Sequence, residues 1–130
     1  MTTADLNHHT RSIRGLVAYS GGRLAEEGVA ARYVAEGYLL LETRYRSRAG
    51  EIDLILTKDG VVVFVEVKSA GSYDQAAARI SRRQMDRICL AACDYVSRLP
   101  EGMLTEMRFD AALVDAQGMI GIIPNAFGEN

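Results

Sequence analysis

The chain has 130 residues, 48% hydrophobic and 25% charged, with a formal net charge of −2. That length suits one domain able to bury its own core, and the composition excludes a disordered or fibrous chain. No apolar run reaches the ~18–20 residues of a membrane-spanning helix, and residues 1–10 lack the apolar stretch of a secretory signal, so the expectation is a cytoplasmic protein with no membrane partner.

In chain order, residues 1–13 read as a flexible N-terminal arm, and residues 14–130 as a single domain. Residues 22–36 carry Val29, Ala30, Tyr33 and Val34 at helical spacing and are closed by Gly37, which predicts a helix. Glu26 stands three, four and seven positions before Val29, Ala30 and Tyr33, on the apolar face. A carboxylate pointing inward needs a partner. Residues 38–46 predict a strand, Ala49-Gly50 a turn and residues 51–57 a second strand. Asp59-Gly60 is a hairpin signal. Residues 61–69, VVVFVEVKS, are apolar on both faces and suit a central strand. Residues 75–99 predict a second helix ended by Pro100 and Gly102. Residues 106–114 and 119–123 predict two further strands around Gln117-Gly118. The whole is a mixed α/β layer fold.

Cys89 and Cys93 have no second cysteine pair for a zinc site and read as buried small hydrophobes. His8 and His9, the only histidines, lie in the arm. Charge is uneven along the chain: residues 38–87 carry net +2 and residues 88–130 net −4. A local basic patch can attract phosphate even on an acidic chain.

The hairpin places chemistry. With a two-residue loop Lys58 faces Val61; Asp53 then faces Glu66 and Glu51 faces Lys68, and these last four project from one side of the sheet. A four-residue loop would set Glu51 against Glu66 instead. Either way two carboxylates oppose each other at about 4.5–5.5 Å between Cβ atoms, where like charges repel. They need a shared proton or a cation, and oxygen ligands suit Mg²⁺ or Mn²⁺. Lys68 would stand beside that cation, to hold a water or steady phosphoryl charge. The competing explanation is a solvated Glu-x-Lys ion pair, against which the strand is otherwise Val and Phe. Arg44, Arg46 and Arg48, spaced by two, would share one face of a continuous strand. Arg79, Arg82, Arg83 and Arg87 would stripe the second helix. Both sets suit phosphate contacts, although charge runs are also ordinary solvated faces.

The run Tyr45-Arg46-Ser47-Arg48-Ala49-Gly50-Glu51-Ile52-Asp53-Leu54-Ile55, with Phe64-Val65-Glu66-Val67-Lys68, resembles the YraN-like family of the PD-(D/E)XK nuclease superfamily. Ala25-Glu26, Gly37-Tyr38, Arg108-Phe109-Asp110 and Pro124-Asn125-Ala126-Phe127 fit the same family, so the resemblance spans about 22–127. It implies a restriction-endonuclease-like three-layer fold, a mixed central β-sheet flanked by helices, similar to archaeal Holliday-junction resolvases. It also implies Asp53 and Glu66 as metal ligands with the backbone carbonyl of Val67, Lys68 as the catalytic lysine and Glu26 as an auxiliary acid. The chain departs from the pattern at Ala70, at Gln84, where a lysine is usual, and at Gly28 inside the first helix. The expected function is Mg²⁺- or Mn²⁺-dependent hydrolysis of DNA, branched DNA included, with DNA favoured over RNA and homodimerisation left open. The alternatives are a nucleic-acid-binding module that no longer cuts, or a protein-interaction domain.

Overall fold

The computed structural model describes residues 13–126, with side chains from Gly22 onward. The arm over residues 1–12, with His8 and His9, and Phe127 of the C-terminal motif lie outside the described residues. Helix α1 (Ile13–Ala35) is followed by strands β1 (Leu39–Arg46), β2 (Glu51–Lys58) and β3 (Val61–Ser69). Helices α2 (Tyr73–Ala78) and α3 (Arg82–Val96), a 3₁₀ turn (Gly102–Leu104), and strands β4 (Glu106–Val114) and β5 (Ile120–Ile123) complete it. Thus α1 starts nine residues earlier than its apolar stripe predicts. It ends where expected, at Gly37, whose φ of 98° allows the chain to turn back. There the amides of Gly37 and Tyr38 donate to the carbonyls of Val34 and Tyr33 at 3.0 and 3.1 Å, which satisfies the last carbonyls of the helix.

The five strands form one sheet in the order β1-β2-β3-β4-β5. Pairing is antiparallel throughout except between β3 and β4, which run parallel. Asp59 and Gly60 both take positive φ, 53° and 82°, as a two-residue hairpin turn of matching twist requires. Lys58 accordingly faces Val61, and the register continues unbroken to Leu54 opposite Val65. The parallel β3–β4 pair needs a long crossover, which α2 and α3 provide. On one face of the sheet Val29 and Tyr33 of α1 pack with Leu54, Leu56, Val63 and Val65. On the other, Ile88, Ala91, Ala92 and Val96 of α3 pack with Ile55, Val62 and Phe64. β3 is therefore covered on both sides, as its uninterrupted apolar run predicts. The architecture is the three-layer α/β arrangement of restriction-endonuclease-like folds.

The predicted single helix over residues 75–99 is two. Arg79 caps the end of α2, and the chain restarts at Ser81, whose hydroxyl accepts from the Gln84 amide at 3.1 Å. Ser72 caps α2 in the same way, accepting from Gln75 at 3.2 Å. Each serine satisfies one of the orphan amides at a helix start. Cys89 and Cys93 are free thiols on α3, half-buried rather than buried. Among the described residues no helix is long and apolar enough to cross a membrane.

One buried carboxylate ties distant parts of the chain. Asp110 of β4 is fully buried. It accepts from the Tyr33 hydroxyl at 2.7 Å, from Arg108 Nε and Nη2 at 2.9 Å each, and from the Asn125 amide at 2.9 Å. A buried charge of this kind is tolerated only when so fully paired. The contacts fix α1 and residues 125–126 against β4.

Candidate metal centre

Regular pairing of β2 with β3 ends at Leu54 and Val65, so Asp53 and Glu66 lie one step beyond it. On β2 strict alternation fails there: Ile52 packs with the α3 cluster and Leu54 with the α1 cluster, although residues two apart in a strand normally share a face. The irregularity has a counterpart on β1. Tyr45 pairs with Ile52 and Thr43 with Leu54, so Arg44 falls across from Asp53. Arg44 has φ 52°, a left-handed conformation uncommon for a residue with a side chain. Asp53 thus occupies a local kink in two adjacent strands.

The kink brings Asp53 to the backbone of β3. Its Oδ2 accepts from the Val67 amide at 2.8 Å. Glu66 is 3% exposed, and its Oε2 accepts from Lys68 Nζ at 3.0 Å and Gln84 Nε2 at 2.6 Å. Burial, and then the adjoining charge of Glu66, pushes the Asp53 carboxyl up to about 8, against the pull of the Val67 amide. Burial likewise raises Glu66, with Lys68 opposing. Both carboxyls are therefore harder to ionise than free ones.

That donor set fits a small hard cation. Both groups offer oxygen, Glu66 is buried and Asp53 half-buried, and burial makes each costly to ionise, a cost that a divalent ion would offset. Among the described residues no three His, Cys, Asp or Glu side chains gather into a complete cage. Mg²⁺ and Mn²⁺ do not require one, because they commonly take one or two carboxylates and complete their shell with water and phosphate oxygens. Val67, through its amide, is in direct contact with Asp53, which keeps its backbone at the site.

Beside the pair opens a cleft of about 700 Å³, lined among others by Glu26, Val67, Lys68, Arg79 and Asp115. Lys68 connects cleft and acid pair, with its side chain 17% exposed. Glu26 meets the partner its inward direction demands: Arg44 Nε donates to its Oε1 at 3.0 Å. Glu51 does not join the acid pair but faces Arg46 at 3.9 Å on the surface.

The arginines divide. Arg44 belongs to Glu26. Strand β1 ends at Arg46 and Arg48 lies in the turn that follows, so the three do not share one strand face as the two-residue spacing suggests. The break at Ser81 also interrupts the predicted stripe. Arg79 donates from Nη1 to the Ser69 carbonyl at 2.7 Å beside the cleft, Arg82 pairs with Asp86 at 3.6 Å, and Arg83 and Arg87 follow on α3 one turn apart. A Cβ on Gly50 would stand 3.2 Å from Arg87 Cβ, so the turn bearing Arg48 packs directly on α3. Arg46, Arg48, Arg83 and Arg87 are all exposed.

Gln84 is the site residue that the strand pattern does not reveal. Position 84 is conspicuous in the sequence only as a departure from the resemblance. What places it on Glu66 is the helix restart at Ser81, which sets Gln84 in the first turn of α3.

Comparison with known proteins gives a consistent result. A family model described as "Uncharacterised protein family UPF0102" matches residues 25–114. The chain is similar to a UPF0102 protein of Roseobacter denitrificans, 48% identical over 115 residues, covering 88% of this chain and 89% of the relative. It is 50% identical over 113 residues to one of Cereibacter sphaeroides, covering 87% and 97%, and 40% identical over 112 residues to one of Rhodopseudomonas palustris, covering 86% of each.

Proposed function

The chain belongs to the uncharacterised protein family UPF0102, and from that membership and the site geometry we infer that it is a divalent-metal-dependent nuclease acting on DNA in the cytoplasm. The observation that carries this reading is the buried Glu66 with half-buried Asp53 beside it and Lys68 3.0 Å from Glu66 at the wall of an open cleft. A purely structural ion pair has no need of a second acid there.

Bound Mg²⁺ or Mn²⁺ would supply Lewis acidity toward a phosphoryl oxygen and make a water more acidic. The chain's own groups do the rest. Asp53, fixed by the Val67 amide, and Glu66, fixed by Lys68 and Gln84, present oxygens in a set geometry, so little reorganisation is required when a cation enters. The ammonium of Lys68 is held 3.0 Å from Glu66 Oε2 at the wall of the cleft. It therefore orients a water and steadies the charge that develops on the scissile phosphate. The exposed guanidinium groups of Arg46, Arg48, Arg83 and Arg87 hold the backbone of the nucleic acid without reading its sequence. Branched DNA falls within this reading, because backbone contacts do not require one continuous duplex.

Gln84 favours a second reading. Its amide and the Lys68 ammonium both occupy Glu66 Oε2, which leaves that oxygen less available to a cation. In that reading the fold binds nucleic acid without cutting it. Incubating labelled single-stranded, duplex, flapped and four-way DNA with Mn²⁺ and either wild type or Asp53→Ala separates the two. Cleavage by wild type alone supports the nuclease. Binding by both proteins with no cleavage by either leaves the binder.

A further inference from the structure

Glu26 stands on the wall between two hollows. On one side is the cleft it shares with Lys68. On the other is a smaller recess of about 300 Å³ between α1 and β1, lined by Arg23, Glu27, Thr43, Arg44 and Leu54 as well as Glu26. Arg44 lines only the smaller recess. It is therefore behind Glu26 as seen from the cleft, and poorly placed to touch a phosphate there. It also stands across the strand pair from Asp53 in a left-handed conformation. A non-glycine residue held in such a conformation beside a functional group invites the question of what its side chain does there.

We propose that Arg44 is a positioning residue: it holds Glu26 back from the Asp53–Glu66 pair, and so keeps the site's affinity for a divalent cation low. The inference rests on the reading of Asp53 and Glu66 as cation ligands. The geometry supplies three supports. Arg44 Nε is 3.0 Å from Glu26 Oε1, a charge-assisted contact that fixes where the carboxylate points. Glu26 lines the same cleft as Val67, whose amide holds Asp53, so a carboxylate released from Arg44 has the pair's side of the cleft to turn toward. The same cleft is lined by Lys68, itself 3.0 Å from Glu66. With Arg44 in place, the third acid is neutralised. Without it, Glu26 is free to turn and add both charge and a ligand oxygen. A weakly held cation suits a site whose remaining ligands are to come from substrate phosphate.

The test is Mn²⁺ titration of the full chain by calorimetry, comparing wild type with Arg44→Asn, Arg44→Lys, Glu26→Gln, Glu26→Gln/Arg44→Asn and Asp53→Asn. Asparagine tolerates the left-handed backbone, so Arg44→Asn should melt no lower than wild type in metal-free buffer. It should bind Mn²⁺ roughly ten-fold tighter, the order expected for one added carboxylate near a partly solvated divalent ion. Arg44→Lys, which keeps the charge, should stay within about two-fold of wild type. In the Glu26→Gln background the gain from Arg44→Asn should largely vanish, because the residue acts through Glu26. Unchanged or weaker Mn²⁺ binding in Arg44→Asn overturns the proposal, as does a gain of equal size in both backgrounds. Should Arg44→Asn fail to fold, Mn²⁺ binding by Arg44→Lys ten-fold tighter than by wild type overturns it equally. Wild-type affinity in Asp53→Asn would overturn the cation reading itself. Loss of binding in Asp53→Asn alongside no gain in Arg44→Asn overturns this inference alone.

Discussion

At the scale of single residues, the raised carboxyls of Asp53 and Glu66 have a consequence for stability. Both carboxyls are raised by burial, Asp53 to about 8. The folded protein therefore holds a proton that the unfolded chain has released above the usual carboxylate range. Stability from that proton is fully present below the unfolded carboxylate values near pH 4 and is lost as pH rises through the folded value. In metal-free buffer the melting temperature of wild type should fall between about pH 5 and pH 9, and Asp53→Asn should remove most of that slope. An equally steep fall in Asp53→Asn would show that another group carries the linkage. Lys68 provides a second test at this scale. Methionine keeps the packing of its stem and removes the charge. Lys68→Met should fold and bind DNA within a few-fold of wild type, yet lose cleavage by on the order of 10²–10³, as removal of a charge-stabilising donor does. A nuclease that cuts as well with methionine there does not use this lysine.

At the scale of elements, helix α1 carries a glycine at 28 for no conformational reason. A Cβ there would meet Ile120 Cδ1 at 3.6 Å, an ordinary contact. Gly28→Ala should therefore gain helix propensity without a clash and raise stability by roughly 0.5–1 kcal/mol, read as a higher denaturation midpoint. A lower midpoint would mean that α1 must approach β5 more closely than it does in this structure. The elements also mark what the sequence makes legible. Hairpin register was readable because Asp59-Gly60 favours a two-residue turn, from which each pairing as far as Leu54 opposite Val65 follows by counting. β3 was readable as central because its apolar run leaves no face for water. The restart at Ser81 was not, since residues 75–99 keep an adequate apolar period across it; only a cap at Ser81 signals the break. The kink at Asp53 was invisible for a related reason. Alternation assigns a face to each residue, and no local pattern announces that Arg44 will take a positive φ and carry its neighbour with it. The pairing of Glu26 with Arg44 was likewise half legible: the need for a partner followed from the helix face, but its identity depended on how α1 lies over β1.

At the scale of the whole molecule, the formal charge of −2 is a poor guide to what the surface presents. Asp110 and Glu66 are both buried, so part of the negative count never faces solvent. The arginines near the site are instead exposed. The turn after β1, which carries Arg48, packs on α3 at Gly50 and Arg87, with Arg83 one turn earlier on α3. A surface of this kind binds a polyanion mainly by releasing counterions, so affinity for duplex DNA should fall steeply with salt, with a log–log slope near −0.9 for each phosphate neutralised. Arg82 is a weaker candidate for such a contact because Asp86 already pairs with it. Replacing Arg83 and Arg87 together by glutamine preserves helix propensity and the Cβ contact with Gly50 while removing two charges. The slope should then flatten by roughly one to two, and affinity should drop to a similar extent on unrelated sequences, because phosphate contacts carry no sequence information. Fluorescence anisotropy with labelled duplexes from 50 to about 200 mM salt covers the range in which such a change is large. A flat salt profile in wild type would remove the arginines from the interface and leave the cleft beside Lys68 as the place where nucleic acid is held.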